Sequence, residues 1–148
     1  QNYTLDIIGD GPLRSELEQR TRVLGLHNRV SFQGFRKNPY EWMGRSDLLV
    51  LTSAREGLPT VLVEALYCGL RVVSTDCGRG IHDLLLNSHY GTIVPAGDAA
   101  ALAEAISEEL QKPRDTAKQI EGAQRFLPVA IANQFLAELN TIISEVQT

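Results

Sequence analysis

The sequence predicts an α/β fold, a doubly wound parallel sheet of about five strands with a long helix at the end of the chain. Short runs rich in Val, Ile and Leu recur without polar alternation, which is typical of strands buried on both faces. Stretches with a helical apolar period separate these runs. The 148 residues suffice for one hydrophobic core, so we predict a single domain over residues 1–148.

The predicted strands end where Gly or a polar residue interrupts each apolar run. They cover residues 5–8, 30–32, 48–51, 72–73 and 93–94. In an open parallel sheet, ligands bind outside the carboxyl ends of the strands. We therefore expect the functional residues in the turns that follow the strands.

Three stretches carry a helical apolar stripe. Leu13, Leu17 and Leu24 share a stripe after the first strand, and a second stripe begins after Asp98, which can cap the helix N-terminus. This second stripe consists of Leu102, Ile106 and Leu110. The last predicted helix carries the longest stripe, formed by Ile131, Phe135, Leu139, Ile142 and Val146. Its polar side has few Lys or Arg, which favours a packing face over a membrane-binding face.

Composition and charge exclude several classes of function. A net charge of −4 gives no general attraction to nucleic acid or anionic lipid. Cys68 and Cys77 lack the spacing of a disulfide scaffold or a zinc site, so a reducing, cytoplasmic setting is expected. The chain has no long apolar run and begins at Gln1 without a leader pattern, and we expect it to be part of a longer protein.

The segment of residues 53–66 predicts an anion-binding helix N-terminus. Pro59 suits the first position of a helix, which we predict over residues 59–67. The N–H groups of Thr60 and Val61 then lack helical partners and lie at the positive end of the helix dipole. This arrangement is suited to a phosphate.

Two glutamates flank the predicted helix start. Glu64 lies in an otherwise apolar helix and leans toward its N-terminus, so its carboxylate needs either a ligand hydroxyl or an ion pair with Arg55 or Arg71. Glu56 lies in the preceding loop beside Gly57; by itself it could be a solvated loop acid. Because carboxylates accept hydrogen bonds from sugar hydroxyls, the pair around a phosphate site points to a nucleotide sugar.

The chain resembles the retaining glycosyltransferases of family 4, also called group 1, which have the GT-B fold of two Rossmann-like domains. Glu56 and Glu64 match the glutamate pair of that family. The intervening Gly57-Leu58-Pro59-Thr60 is similar to the sequence that the family usually has there. The resemblance covers about residues 5–110 and extends to three further segments. These are Ile8-Gly9-Asp10-Gly11-Pro12, Val30-Ser31-Phe32-Gln33-Gly34 and Ala65-Leu66-Tyr67-Cys68-Gly69-Leu70-Arg71-Val72-Val73.

The resemblance implies a role for each matching residue. Glu56 would meet the transferred sugar as the catalytic residue, and Glu64 would bind the ribose. The sugar or diphosphate would be held by amides of the segment Gly57, Leu58, Pro59 and Thr60. The base would contact the backbone near Phe35. Gly11, in the turn after the first strand, is included among the predicted nucleotide-binding residues, although Gly9-Asp10-Gly11 alone also reads as a tight turn.

The family pattern also implies what this chain lacks. In this family, three features would precede Tyr3: an opening strand, an Arg and a Lys that bind the donor diphosphate, and an acceptor-binding domain. Without the opening strand, residues 5–8 would either lie beside a gap or pair with residues 48–51. In the segment 78–83, Asp83 stands where the family has Glu. The resemblance implies no metal and no cofactor apart from the nucleotide-sugar substrate. His82 and His89 are predicted to be surface residues without a catalytic partner.

We therefore predict the donor-binding, C-terminal domain of a retaining glycosyltransferase that acts on a glycan or lipid-linked acceptor. The whole enzyme is expected to be cytoplasmic, with peripheral contact to the inner face of a membrane and no nucleic-acid partner. Two alternatives share the same site. One is a noncatalytic Rossmann-like nucleotide-binding module, and the other is a sugar-nucleotide epimerase with the GT-B fold.

Overall fold

The computed structural model describes residues 3–146, except for the side chain of Val146. The expectations that concern Gln1 and the Val146 side chain lie outside the described residues. The chain divides into two compact units, Gln1–Glu41 and Trp42–Thr148. The single domain over residues 1–148 stays a prediction.

The first unit contains a two-stranded parallel sheet and one helix. Strand β1 (Leu5–Ile8) pairs with β2 (Val30–Gly34), and helix α1 (Arg14–Val23) connects them. The register changes between Ile7 and Ile8, and the Gly9 amide then donates to the Gly34 carbonyl at 2.9 Å. The predicted positions of both strands are confirmed.

The apolar stripe of α1 is exposed, contrary to the expectation of a packed helix face. Leu13 and Leu24 are each 60% exposed and Leu17 is 43% exposed, while Gly34 is the one buried residue among residues 3–41. The reason is size, because two short strands and one helix offer too little apolar surface to form a closed core.

The second unit contains a three-stranded parallel sheet with strand order β3-β4-β5. Helix α2 spans Tyr40–Arg45, and the strands are β3 (Leu48–Leu51), β4 (Arg71–Thr75) and β5 (Thr92–Val94). The remaining helices are α3 (Thr60–Tyr67), α4 (Arg79–Leu85), α5 (Ala99–Gln111), α6 (Thr116–Gln124) and α7 (Pro128–Val146). All three strand positions are confirmed.

Helices cover both faces of this sheet, as a doubly wound fold requires. Adjacent residues of β4 point to opposite faces: Val72 joins the core formed with α3 and α4, whereas Val73 packs with Ala105 of α5. Both valines have no exposed surface. The predicted cap of α5 is confirmed, because Asp98 accepts a hydrogen bond from the Ala101 amide at 2.9 Å.

The five strands form two sheets rather than one continuous sheet. Of the two predicted alternatives for residues 5–8, the pairing with residues 48–51 is not formed, because β1 pairs with β2 and β3 pairs with β4. Strand β1 also differs from the prediction in its burial. Its apolar run predicted a strand buried on both faces, but Leu5 is 48% and Ile8 is 36% exposed, as in an edge strand.

Helix α7 carries its apolar residues on the surface. Ile131, Phe135, Leu139 and Ile142 are all exposed, with Phe135 exposed by 64%. No single helix within residues 3–146 is both long and apolar enough to cross a membrane. By length and composition alone, α6 together with Pro128–Glu145 passes that test as a pair bent by 45°.

Candidate functional site

The candidate site lies at the carboxyl edge of the three-stranded sheet. The loop after β3 and the turn after β4 meet there because the strands are parallel. Two hydrogen bonds fasten them together: the Glu56 amide donates to the Cys77 carbonyl at 2.9 Å, and the Thr75 hydroxyl donates to the Ser53 carbonyl at 2.7 Å. The two loops therefore form one structural element.

Glycine at position 80 permits the close approach of these loops. A Cβ atom on Gly80 would lie 1.9 Å from the Gly57 carbonyl oxygen, and one on Gly78 would lie 3.3 Å from the Glu56 carbonyl oxygen. Gly78 also has a φ of 129°, which strongly favours glycine. In the sequence, residues 78–83 stand out only because they differ from the residues usual in the family. This structural role of the glycines was not predicted.

Glu56 is half-buried, and its carboxylate accepts a hydrogen bond from a neighbouring hydroxyl. The Ser53 Oγ donates to Glu56 Oε1 at 2.7 Å. No other hydrogen bond within residues 3–146 reaches this carboxylate, so it keeps acceptor capacity for a ligand. Glu56 is therefore not a fully solvated side chain, and Ser53 is a contact that the sequence pattern did not reveal.

The N-terminus of α3 is open, but the helix begins one residue later than predicted. Pro59 has φ −74° and ψ 89°, so its extended ψ makes it the residue before the helix rather than the first helical residue. No side chain caps the helix. The Leu62 amide donates to the Pro59 carbonyl, which leaves the amides of Thr60 and Val61 as the donors without a helical acceptor.

Glu64 is half-buried in the second turn of α3. Within residues 3–146 its carboxylate makes no ion pair, and the predicted alternative pairing with Arg55 or Arg71 is absent because Arg71 donates instead to the Glu109 carbonyl. One turn later, burial and the negative charge of Glu64 raise the pKa of the Cys68 thiol. The Glu64 carboxylate therefore remains available to a ligand.

His82 and Asp76 add a polar pair to the same edge. His82 Nε2 lies 3.1 Å from Asp76 Oδ1, and this hydrogen bond is the main cause that lowers the pKa of Asp76. Arg79 is nearly fully exposed and lies 3.9 Å from Asp83. His82 thus has a carboxylate partner, contrary to the expectation of an isolated surface histidine.

The remaining predicted residues lie in the first unit, at the carboxyl edge of its own sheet. Gly11 is exposed in the turn after β1, where its amide donates to Asp10 Oδ1 at 2.9 Å. Phe35 directly follows β2 and is 80% exposed. Arg14 holds this edge together, because its guanidinium donates to the Phe32 carbonyl and pairs with Asp10 at 3.2 Å.

Metal-ligating residues do not gather anywhere in the described part of the chain. Between Tyr3 and Val146, no group of three or more His, Cys, Asp or Glu side chains has an arrangement that could hold a metal ion. The expectation that the reaction needs no metal stays a prediction.

Comparison with protein families identifies the family to which this fold belongs. The model of the family described as glycosyl transferases group 1 matches residues 1–112. The chain belongs to this family. The resemblance carried by the two glutamates is therefore confirmed at the level of the glycosyltransferase family, as is the α/β fold class.

Individual glycosyltransferases align over most of this chain. A Campylobacter jejuni protein is 39% identical to this chain over 106 residues, which cover 72% of the chain. That protein is named GalNAc-alpha-(1->4)-GalNAc-alpha-(1->3)-diNAcBac-PP-undecaprenol alpha-1,4-N-acetyl-D-galactosaminyltransferase. The structure of Anabaena HepE in complex with UDP has a TM-score of 0.81 and 33% identity over 94% of the chain. The galactosyltransferase WaaB in its apo form has a TM-score of 0.78 and 29% identity over 96% of the chain.

These relatives are much longer than this glycosyltransferase chain. The alignment covers 29% of the Campylobacter protein and 41% of each of the two solved structures. The fold comparison therefore reaches nearly all of this chain, but less than half of each relative.

Proposed function

We propose that this chain is the donor-binding part of a retaining glycosyltransferase. It binds a nucleoside diphosphate sugar, and the complete enzyme transfers the sugar to a glycan or lipid-linked acceptor. The observation that carries this proposal is the pair of half-buried glutamates, Glu56 and Glu64, around the uncapped N-terminus of α3. The HepE structures hold UDP and UDP-glucose, which supports UDP as the first nucleotide to test.

Each part of the donor has a complementary group at this edge. The Thr60 and Val61 amides, at the positive end of the helix dipole, suit the diphosphate. The partnerless Glu64 carboxylate accepts hydrogen bonds from ribose hydroxyls, and the Glu56 carboxylate accepts them from the transferred sugar. In this assignment Gly57 and Leu58 contribute backbone to the sugar and diphosphate, since both are exposed in the loop.

The proposed reaction keeps the configuration of the sugar. The departing diphosphate oxygen takes the proton of the acceptor hydroxyl on the face that the diphosphate leaves. Glu56 then positions the sugar and stabilises positive charge that develops at the anomeric carbon, without attacking it. Transfer also requires an acceptor held in line with the donor, so these residues alone should bind donor and transfer nothing.

Substitution of Glu56 in the complete enzyme tests this role. Glu56→Gln keeps the shape of the side chain but removes its charge, and we expect turnover to fall by about 100-fold or more. Glu104→Gln is the matched control, because Glu104 is an exposed residue of α5 outside the site. Near-normal turnover of the Glu56→Gln enzyme, measured with its own donor and acceptor, would refute the assignment.

A product analysis separates transfer from the rival reactions. The proposed enzyme consumes the nucleotide sugar and extends the acceptor, which mass spectrometry detects as one added sugar residue. An epimerase would instead convert the nucleotide sugar without an acceptor. A noncatalytic module would leave both compounds unchanged.

A further inference from the structure

A cavity lies at the amino edge of the three-stranded sheet, opposite the candidate site. Its volume is about 370 Å³, within the range of small-molecule sites. The beginnings of β4 and β5 and the connection from α5 to α6 surround it. The chemically important lining residues are Arg71, His89, Thr92, Glu109, Lys118 and Gln119.

Gln119 supplies an acceptor without a donor. The side chain is buried in α6, with 8% of its surface exposed, and its Oε1 atom has no hydrogen-bond partner. A buried amide oxygen without a partner costs about 1–3 kcal/mol. Natural cores satisfy nearly all such atoms, so this acceptor is available to a donor that enters the cavity, from a ligand or from water.

Arg71 supplies a donor without an acceptor. Its Nη1 donates to the Glu109 carbonyl at 2.6 Å, but its buried Nε has no partner. Because a guanidinium presents its donors in a fixed fork, the Nε edge is suited to an oxyanion. The cavity therefore contains one unsatisfied acceptor and one unsatisfied cationic donor.

The other charged groups show which ligand charge fits. Within the cavity, Glu109 already accepts hydrogen bonds from the Thr92 hydroxyl and the Lys112 ammonium. Arg71 and Lys118 make no ion pair within residues 3–146. The lining also contains Asp115, so three cationic side chains, of Arg71, Lys112 and Lys118, stand against two carboxylates. The cavity thus has one positive charge in excess, which favours an anion, and a phosphate monoester carries about −1.5 to −2 at neutral pH.

We propose that this cavity is a second ligand site, which binds a small phosphorylated sugar or polyol. The phosphate contacts the Arg71 Nε edge and Lys118, and a hydroxyl of the same molecule donates to Gln119 Oε1. This site does not depend on the proposed donor site, because the two lie at opposite ends of β4. A five-residue strand separates them by about 16 Å.

Titration of the 148-residue chain with ribose 5-phosphate tests the proposal. We expect ¹⁵N-NMR shifts of the Arg71 Nε–H and the Gln119 side-chain amide. Binding should be about 10-fold tighter than that of inorganic phosphate or of ribose, since each lacks one half of the recognised chemistry. No shift of these two groups at about 10 mM ribose 5-phosphate, or equal binding of inorganic phosphate, overturns the proposal.

A pair of variants on α6 separates a binding role from a structural one. Gln119→Leu removes the orphaned acceptor, and we expect about 10-fold weaker binding with an unchanged or higher Tm. Gln124→Leu, at an exposed position of the same helix, should leave both values unchanged. If Gln119→Leu lowers the Tm, or keeps full affinity for ribose 5-phosphate, the assignment of Gln119 is wrong. Arg71→Lys, which keeps the charge but loses the Nε donor, provides a second test with the same expected loss of affinity.

Discussion

The Ser53 hydroxyl lies 2.7 Å from Glu56 Oε1, and this contact fixes the direction of the loop carboxylate. The two residues are three positions apart in the loop that follows β3. The same loop is anchored from the other side, because the Thr75 hydroxyl donates to the Ser53 carbonyl. Glu56 is thus positioned by β4 as well as by its own strand, which is the preorganisation that charge stabilisation in catalysis requires.

Removal of the Ser53 hydroxyl tests this positioning role. In the complete enzyme, Ser53→Ala should lower kcat/KM by about 10-fold, which corresponds to the loss of one hydrogen bond to a charged group. The Thr75 contact to the Ser53 backbone remains, so the Tm should change little. Ser53→Thr keeps the hydroxyl and should restore activity; failure of this rescue would show that loop packing, not the hydrogen bond, matters.

Gly80→Ala tests the close contact between the two site loops. The added Cβ would lie 1.9 Å from the Gly57 carbonyl oxygen, and a backbone atom cannot move aside without shifting the loop. We expect a destabilisation of about 1–3 kcal/mol and weaker binding of nucleotide. Gly44→Ala serves as the control, because nothing lies within 4 Å of its added Cβ. Equal Tm values for the two variants would contradict the packing described here.

The stability of the second unit should depend on the ionisation of Glu109. Burial raises the pKa of the Glu109 carboxyl, whereas hydrogen bonds from Lys112 and Thr92 lower it. The net result is that the pKa of this carboxyl lies below its usual 4.5. A lowered pKa in the folded state stabilises the protein above the unfolded-state value, and this stabilisation is lost as the pH falls through the folded-state pKa.

Thermal unfolding of Glu109→Gln at several pH values measures this effect. The variant should have a lower Tm than the wild type at pH 7, and the difference should shrink as the pH falls below about 4.5. Each kcal/mol lost corresponds to about 2–4 °C in a domain of this size. A difference in Tm that does not change with pH would contradict the assignment.

The strands were the most predictable part of the fold. All five lie where short runs rich in Val, Ile and Leu predicted them, because strands buried in a sheet favour such residues. Their division into two sheets was not predictable in this way. Leu5 of β1 is exposed and Val72 of β4 is fully buried, although both runs predicted strands buried on both faces. Asp6, in the middle of β1, is the one sign of exposure in that run.

Helix α6 shows why other elements were missed. Its buried residues are Gln119, Gly122 and Ala123, none of which marks an apolar stripe. Gly122 is required by the Tyr90 ring, whose nearest atom lies 2.8 Å from the position of an added Cβ. Close packing through small residues is a tertiary property, and the pattern of one sequence segment does not contain it.

The candidate site was predictable where the chemistry is local. Glu56 and Glu64 stood out because two carboxylates beside a helix start have few structural explanations. Ser53, Thr75 and Gly80 did not stand out, since their contacts join loops that follow different strands. Their roles depend on the parallel order of β3 and β4.

Titration of the ¹⁵N-labelled chain with UDP measures nucleotide binding at this edge of the sheet. We expect shifts of the Thr60, Val61 and Glu64 amides, with about 10-fold weaker binding in Glu64→Gln and no change in the exposed control Glu104→Gln. Absence of shifts at the N-terminus of α3, or unchanged UDP affinity in Glu64→Gln, would contradict a nucleotide site at this edge of the sheet.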